Sequence, residues 1–341
     1  EIEKHFSRLE LRRAAADEVG RVSYPARARE SYAQDLLGSI DAELVRARRF
    51  RLVVDYGYSA ASFVLPILLG PLGVEAVSAH GFIAERTIQI QPISESIAQA
   101  KKLVTAANAD LAAVFDRAGE RLYLIDEQGS EIPVEQTLLL FLRLIASSGR
   151  QGKLAFPVTV TSQVEKLVKK TGLEVIRTRT SPADLAREAS ADGVIFAGAV
   201  GGGYLFPDFL PASDAVATLC KLLELLAPVP QEVSKLVADL PENTLVHRRL
   251  HCPWGKKGLV MRLLVERMKD RKLDLTDGVK VGDERGWVQV IADSDEPVVH
   301  IYAEGVDAEL SNELESEMRS LVEEILGSDT EVGDGSPASV D

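Results

Sequence analysis

Residues 109–129 constrain the fold and function of this chain more than any other segment. An apolar run, Leu111–Phe115, leads into an acidic turn that contains Asp116 and Glu120, and a second apolar run, Leu122–Ile125, follows. Short apolar runs bounded by turn residues are typical of buried strands. We therefore expect two paired strands joined by a tight loop that carries carboxylates.

The flanking sequence repeats a pattern of strand, turn and helix. Predicted strands at 50–55 and 73–78 precede a predicted helix at 94–108. The same pattern restarts at Gly152, with predicted strands at 153–160, 173–178 and 193–197 and helices at 162–171, 181–190 and 212–226. Strands that alternate with helices predict α/β domains with a largely parallel sheet.

The pattern changes after about residue 245. Three segments, at 277–281, 287–291 and 298–304, alternate like antiparallel strands, and predicted helices at 258–271 and 310–326 flank them. This grouping predicts a smaller α+β domain. Residues 328–341 are rich in glycine, serine and acid, and this composition predicts a disordered tail.

Charge and composition exclude several classes of protein. The net charge of −13 argues against binding of nucleic acid, which needs a basic face. No apolar run reaches the roughly 18 residues that a membrane helix needs. With no segment that resembles a signal peptide and only two cysteines, one expected in a core and one in a loop, the sequence predicts a cytoplasmic protein.

The run at 109–129 resembles the metal loop of the phosphohexomutases, the phosphoglucomutases and phosphomannomutases. The family pattern there is A-D-L-G-x-A-x-D-G-D-A-D-R-x-x-x-x-D-x-x-G. Of its three magnesium-binding aspartates, this chain keeps Asp116, whereas Ala118 and Glu120 occupy the other two positions. The arginine is kept as Arg121. The resemblance implies a degenerate metal site at Asp116 and Glu120, and the alternative interpretation is a solvated turn with an Asp116–Arg121 ion pair.

Three further blocks resemble the same family. Residues 53–66 resemble the opening of its second domain, V-V-D-x-x-x-G-A-x-S-x-x-x-P. Residues 198–209 occupy the place of its sugar loop, G-E-E-S-G-H, and residues 277–304 follow the D-G-x-K to R-x-Y-x-E run of its fourth domain. The implied fold is two related mixed α/β mutase-type domains followed by a smaller α+β domain.

The resemblance also implies domain limits. These are a helical connecting segment at 1–48, a second domain at 49–150, a third at 151–244, a fourth at 245–327 and the tail at 328–341.

The remaining two loops also lack the family's functional side chains. At the sugar-loop position stand Gly201, Gly202 and Gly203, which offer only backbone amides to an anion. At the phosphate-loop position stand Asp293, Ser294 and Asp295. Two aspartates there would repel a phosphate dianion. The sequence therefore predicts that no catalytic residue remains in this region.

A basic segment is the one local concentration of positive charge in the sequence. It contains the side chains of His247, Arg248, Arg249, Lys256 and Lys257. Such a segment is a candidate anion patch for a phosphorylated ligand or an acidic partner, and its alternative interpretation is a solvated loop. His5, His80 and His300 are isolated in the sequence, and we assign them no role.

The opening of the chain, residues 2–20, resembles a stretch in bacterial sugar-1-phosphate nucleotidylyltransferases of the mannose-1-phosphate guanylyltransferase type, which carry a mutase-like C-terminal half. This resemblance implies a non-catalytic module that supports an upstream nucleotidyltransferase domain in nucleotide-sugar biosynthesis, with no cofactor in this region. A third hypothesis is an assembly domain that forms homo-oligomers.

The alternative function is an active phosphomannomutase or phosphoglucomutase with unusual loops. It requires Mg²⁺ at Asp116 and Glu120, a sugar phosphate as ligand, and a serine nucleophile from an earlier domain. No segment like the family's T-A-S-H-N-P loop occurs in the sequence.

Overall fold

The computed structural model describes residues 2–8, 15, 17–81 and 92–328. The predicted tail beyond Ser328 lies outside the described residues, as do residues 9–14 and 16 of the predicted helical connecting segment. In the part of the chain that is described, no helix is both long and apolar enough to cross a bilayer. The described residues form three sheets, each with its own helices.

The first sheet contains five strands in the order β2-β1-β3-β4-β5. Strands β2, β1 and β3 are parallel, and β4 and β5 are antiparallel additions. The elements up to this sheet's last strand are α1 (Ile2–Ser7), α2 (Ala28–Gly38), α3 (Ala42–Arg48), β1 (Arg51–Asp55), α4 (Ala61–Leu69), β2 (Glu75–Ala79), α5 (Ile93–Ala106), β3 (Leu111–Phe115), β4 (Leu122–Asp126) and β5 (Glu131–Ile132).

The second sheet contains four strands in the order β7-β6-β8-β9, of which only β9 is antiparallel. Its elements are α6 (Val134–Ser147), β6 (Gly152–Pro157), α7 (Gln163–Val168), β7 (Leu173–Thr178), α8 (Pro182–Ala189), β8 (Val194–Gly198), β9 (Tyr204–Leu205), α9 (Ala215–Leu226) and α10 (Val233–Ala238). Helix α8 begins where the sequence predicts, because the Ser181 side chain caps it and Pro182 occupies its first turn.

The third sheet is antiparallel, in the order β10-β14-β13-β12-β11. Its elements are β10 (Val246–His251), a 3₁₀ turn (Trp254–Lys256), α11 (Lys257–Arg267), β11 (Leu273–Asp274), β12 (Val279–Gly282), β13 (Gly286–Ala292), β14 (Val298–Gly305) and α12 (Ala308–Ser328). The three sheets confirm the predicted fold class, with mixed rather than purely parallel strand directions in the first two.

The described residues form four apolar cores. The largest runs through both mixed sheets and includes buried residues from Ala33 to Leu240, and the second lies between the third sheet and helices α11 and α12. Two smaller cores pack α5 on the first sheet and α8 on the second. Cys220 lies in helix α9, and Cys252 lies in the short loop between β10 and the 3₁₀ turn, where its side chain is buried in the second core. The domain limits at 49, 151 and 245 stay predictions.

The segment before β1 is packed onto helix α9. Lys221 of α9 is fully buried and donates to the Ser39 carbonyl and to Asp208, while the Glu224 carboxylate accepts from the Asp41 backbone N–H at 3.0 Å. A buried charge is tolerated when it is paired and hydrogen-bonded. These contacts hold helices α2 and α3 against the second sheet although the chain then enters the first.

Candidate functional site

Asp116 lies at the carboxyl end of β3, in the turn that leads to β4. Its Oδ1 accepts hydrogen bonds from the backbone N–H groups of Glu120 at 2.8 Å and Arg121 at 3.0 Å, so the carboxylate organises its own turn. Among the described residues no ion pair joins the Asp116 and Arg121 side chains, and that part of the alternative interpretation was wrong. The other carboxylate oxygen of Asp116, Oδ2, and the exposed Glu120 carboxylate take no part in these hydrogen bonds of the turn.

The capacity of this turn for a metal ion is limited. Nowhere in the described ranges do three or more His, Cys, Asp or Glu side chains come close enough to hold one. Mg²⁺ is commonly bound by one or two carboxylates together with water and phosphate oxygens. Asp116 and Glu120 therefore suit only a magnesium ion that keeps much of its water, and their role stays a prediction.

The glycine-rich loop lies directly against the Asp116 turn. Arg121 forms a β-bridge with Gly203, and the Leu122 N–H donates to the Gly202 carbonyl at 3.4 Å. Gly202 has a φ of +79°, a conformation that favours glycine. A Cβ on Gly201 would lie 4.0 Å from the Arg121 guanidinium, so the retained arginine covers the loop. The predicted metal and sugar positions are thus neighbours.

The start of helix α9 completes this edge. The Ala215 N–H donates to the Gly119 carbonyl of the Asp116 turn at 2.9 Å. Asp214 caps the helix through the Ala217 N–H and accepts a 2.6 Å hydrogen bond from the Tyr32 hydroxyl. Burial, with the Asp214 charge, raises the pKa of Tyr32. Four parts of the fold therefore meet at this edge: the β3–β4 turn, the loop between β8 and β9, the start of α9 and helix α2.

Asp55 and His80 form a pair that the sequence analysis missed. Asp55 ends β1 and is 1% exposed; its Oδ2 lies 2.8 Å from Nδ1 of His80, which follows β2. Its Oδ1 accepts the Gly57 N–H at 2.9 Å. A Cβ on Gly57 would collide with the Phe115 carbonyl, so this loop touches the strand that carries Asp116. The signal that could have found this pair is the parallel pairing of β1 with β2, which brings the carboxyl ends of the two strands together.

The phosphate-loop position is tied to a histidine. Asp293 Oδ1 accepts the N–H groups of Asp295 and Glu296 at 2.7 Å each, and Oδ2 lies 2.8 Å from Nε2 of His300. The hydrogen bond from His300, aided by these N–H groups, lowers the pKa of Asp293 to about 2. Ser294 lies beside them and donates to Asp295 at 3.0 Å. Asp293 is therefore occupied in shaping its own loop.

His300 in turn contacts His247. Nδ1 of His300 lies 2.9 Å from Nε2 of His247, whose ring stacks on Tyr302 at 4.3 Å between centroids. Burial, with the nearby His300 and Arg249, lowers the pKa of His247 to about 4. Burial also raises the pKa of Tyr302 to about 12. The three rings form a stacked array on one face of the third sheet, in which the charged forms of His247 and Tyr302 are disfavoured.

The basic segment is an edge strand, so its interpretation as a solvated loop was wrong. Strand β10 pairs with β14, and alternation sends its side chains to opposite faces. Arg249 forms an ion pair with Glu296, whereas Arg248 approaches the buried Glu315 of α12 at 3.5 Å.

The two lysines of that segment lie elsewhere. Lys256 donates to the Leu326 carbonyl, and Lys257 donates to the Asp293 carbonyl at 2.6 Å with its ammonium 3.6 Å from the Trp254 ring. The five side chains therefore do not form one anion patch.

A cleft of about 410 Å³ separates the start of α8 from the fourth-domain loop, and Arg179, Ser181, Asp293, His300 and Tyr302 are among its lining residues. Its far wall is fixed by contacts between the sheets: Asp277 accepts the Thr180 N–H at 2.7 Å, and Arg179 donates to the Thr276 carbonyl at 3.1 Å.

Polar contacts beside this cleft join the second and third sheets. The buried Glu304 accepts from the Ser162 N–H at 2.8 Å, from Trp287 Nε1 at 2.6 Å and from the Thr161 hydroxyl. Lys280 donates to the Val158 carbonyl at 2.9 Å, and burial lowers its pKa to about 8. The third sheet is therefore held over the cleft by buried hydrogen bonds.

The sequences of both mixed α/β domains match one known family. Residues 30–129 match the family model for phosphoglucomutase/phosphomannomutase α/β/α domain II, and residues 134–244 match that for domain III. Together the two matches cover more than half of the chain. The chain belongs to the phosphoglucomutase/phosphomannomutase family.

Individual relatives support the same family. The chain is 29% identical over 333 residues to "Phosphoglucomutase/phosphomannomutase" of Thermococcus kodakarensis, a match that covers 96% of this chain and 72% of the relative. It is 28% identical to "Probable phosphoglucosamine mutase" of Methanopyrus kandleri, covering 91% and 70%. The solved structure of a phosphoglucomutase/phosphomannomutase family protein from Burkholderia thailandensis has a TM-score of 0.78 at 22% identity, covering 95% and 69%, and supports the fold alone.

These matches overturn one prediction. The chain was expected to be a non-catalytic half of a nucleotidyltransferase, yet nearly all of it aligns with proteins that are named as mutases. That main interpretation was wrong, and the matches favour the alternative, a phosphohexomutase. That interpretation rested on residues 2–20 and on the fit of residues 53–66 to the same subgroup, two short segments, whereas the mutase match extends over 96% of the chain.

Proposed function

We propose that the protein is a phosphohexomutase that moves a phosphoryl group between positions of a hexose phosphate. Glucose, mannose and glucosamine phosphates are the candidate substrates, because the relatives carry those names. The observation that carries the proposal is the joined edge around Asp116. The turn of Asp116, the glycine loop and the start of α9 are hydrogen-bonded to one another through Gly202 and Gly119.

The proposed roles follow from the chemistry of that edge. Arg121 lies beside the glycine loop and supplies a fixed positive charge, which suits recognition of a phosphate. Asp116 and Glu120 would hold a hydrated Mg²⁺, which supplies charge neutralisation at a transferring phosphoryl group when it is bound. Asp293 and Asp295 disfavour a dianion at the fourth-domain loop, so we place the phosphate near Arg121.

The location and partners are proposed with the function. Both cysteines are free and buried, which suits a reducing compartment, and we propose a cytoplasmic protein. With a net charge of −13 we expect small phosphorylated sugars rather than nucleic acid as ligands.

The test is a turnover assay of the intact protein with Mg²⁺ and the 1-phosphates of glucose, mannose and glucosamine. We expect formation of the 6-phosphate from at least one of them, and Asp116→Asn should lower kcat by at least about 100-fold, because one metal-binding charge is lost. Asp192→Asn, at an exposed aspartate between α8 and β8, is the matched control and should keep full activity. Absence of turnover with all three sugars would reject the proposal.

A further inference from the structure

Three parallel strands of the first sheet end at the same edge. Because β2, β1 and β3 are parallel and adjacent, the residues at or just after their carboxyl ends, His80, Asp55 and Asp116, lie along one rim. The chain passes from β1 to β2 on one side of β1, and the next strand, β3, lies on the other side. In open α/β sheets of this order, ligands bind outside the carboxyl ends of the strands, at the switch point between β1 and β3, and Asp55 and Asp116 lie on the two sides of that point.

The pair of Asp55 and His80 has a defined protonation geometry. An ionised carboxylate only accepts hydrogen bonds, so the 2.8 Å contact places a proton on Nδ1 of His80. In the neutral ring the other nitrogen, Nε2, then carries the lone pair, and it has no hydrogen-bond partner among the residues that the structure describes. The His80 side chain is 17% exposed.

Two contacts with Tyr58 hold His80 in place. Tyr58 packs against it with 4.9 Å between ring centroids, and the Tyr58 N–H donates to the His80 carbonyl at 3.1 Å. Both residues adopt left-handed backbone conformations, with φ of +58° and +49°. Such conformations cost about 1–2 kcal/mol for residues other than glycine, and they persist where surrounding contacts demand them.

We propose that His80, oriented by Asp55, contacts the hexose phosphate through Nε2 and carries the proton during phosphoryl transfer. This inference rests on the proposed mutase function and adds a catalytic residue to it. A buried carboxylate that fixes the tautomer of a histidine and stabilises its protonated form is a recurrent arrangement for proton transfer. Asp55 acts through His80 and is a positioning residue.

The proposed step balances in atoms and charge. The oxygen of a sugar hydroxyl forms a bond to the phosphorus of a phosphate ester, and its proton passes to Nε2 of His80. The earlier P–O ester bond breaks, and its oxygen takes the proton back from Nε2. No oxidant or reductant is needed, because one phosphate ester and one alcohol are consumed and one of each is formed.

The competing explanation is that the pair only ties β1 to β2. A hydrogen bond with a structural role would be lost on substitution with a change in stability but with little change in the chemical step. The two explanations therefore differ in kcat measured on folded variants and in the response of Nε2 to ligand.

The kinetic experiment compares His80→Gln with His251→Gln, which alters an exposed histidine at the end of β10. We expect kcat of His80→Gln to fall by at least about 100-fold, in the range of general acid–base contributions, with KM changed by less than about threefold. His251→Gln should match the wild type. Circular dichroism and urea unfolding verify that each variant folds. A folded His80→Gln variant with wild-type kcat overturns the proposal.

A second measurement decides the case independently of turnover. Nitrogen NMR of ¹⁵N-histidine-labelled protein reports each ring nitrogen, with His80→Gln providing the assignment. We expect the Nδ1–H tautomer for His80, and a shift of Nε2 on addition of glucose, mannose or glucosamine 6-phosphate.

The outcomes separate the two proposals. Wild-type protein without turnover rejects the mutase function and the proton-carrying role, and a ligand-induced shift of Nε2 would then support the contact alone. Turnover with an unaffected His80→Gln variant rejects only the role of His80. An Nε2–H tautomer, or an Nε2 signal that none of the three sugar phosphates changes, overturns the contact.

Discussion

The two Asp–His pairs of this protein share one geometry and differ in their surroundings. In each, a carboxylate oxygen lies 2.8 Å from an imidazole nitrogen, in Asp55–His80 and in Asp293–His300. The far nitrogen of His80 has no partner among the described residues, whereas that of His300 lies 2.9 Å from His247. The first pair leaves a ring nitrogen for a ligand, and the second uses both.

The difference follows from the sheets that carry the pairs. Asp55 ends β1 and His80 follows β2, two parallel strands whose carboxyl ends meet at one edge of the first sheet. Asp293 and His300 belong to the antiparallel hairpin of β13 and β14, where a third strand, β10, brings His247 alongside. The same side-chain pair therefore serves as a candidate catalytic group in one place and as a loop anchor in the other.

The largest expected effect is the loss of kcat when the carboxylate of the first pair, Asp55, is replaced. Asp55→Asn can donate an N–H to Nδ1 of His80 and so favours the opposite tautomer, which removes the lone pair from Nε2. We expect kcat to fall by at least about 100-fold in a folded variant. Asp35→Asn, at an exposed position of α2, is the control for loss of one negative charge. If the folded Asp55→Asn variant keeps the wild-type kcat, the first pair has no catalytic role and, like the second, only anchors a loop.

A second test compares two glycines that flank this edge. Both have left-handed φ, +55° for Gly57 and +73° for Gly119, but a Cβ at Gly57 meets the Phe115 backbone whereas one at Gly119 meets nothing within 4 Å. Gly119→Ala should lower the free energy of unfolding by about 1 kcal/mol through backbone strain alone. Gly57→Ala adds a steric clash and should cost about 3 kcal/mol. Equal losses in urea unfolding would contradict this contact between the Asp55 loop and β3.

A third test measures the coupling of the second pair. Because His247 and His300 share a hydrogen bond and a ring contact, a cycle of His247→Gln, His300→Gln and the double variant should give a coupling energy of about 1 kcal/mol in urea unfolding. The matched cycle of His80→Gln with His247→Gln joins residues of different domains. It should be additive within about 0.5 kcal/mol. Additivity in the first cycle would show that His247 does not support His300.

The sequence predicted most of the fold but only part of the site. Short apolar runs bounded by turn residues, such as Leu111–Phe115, indicated buried strands, so the positions of most strands in the α/β domains were predicted. The turn that carries Asp116 was predicted for the same reason, because it lies between two such apolar runs that are neighbours in the sequence. Strand β10 was missed, because its His and Arg side chains resemble a solvated segment and only pairing with β14 gives it order.

The pairs themselves could not be predicted from local pattern. Asp55 and His80 are 25 residues apart and meet only because their strands are adjacent. His247 and His300 are separated by 53 residues and depend on the register of β10 with β14, in which His247 lies opposite Tyr302. The geometry that distinguishes a free imidazole nitrogen from an occupied one is a property of packing, and no residue spacing in the sequence contains it.

The smallest expected effect is the pH dependence of stability in the second pair, because His247 is an exposed residue and solvent screens its charge. The folded pKa of His247, about 4, lies below its ordinary value of 6.5, mainly because burial penalises its charged form and because His300 and Arg249 are close. The unfolded chain then binds more protons between these values, so the free energy of unfolding falls as pH drops from 6.5 to 4. For Asp293, with a folded pKa of about 2 against 3.8, the loss occurs as pH drops from 3.8 to 2.

Two variants separate these pH windows. His247→Gln removes the titrating ring, so its urea unfolding curve should lose pH dependence between 6.5 and 4 and keep that below 4. Asp293→Asn should show the reverse, because the amide does not titrate while His247 remains. A His247→Gln profile that runs parallel to the wild type from pH 6.5 to 4 would contradict the lowered pKa of His247. Its contacts with His300 and Tyr302 would then not disfavour the charged ring.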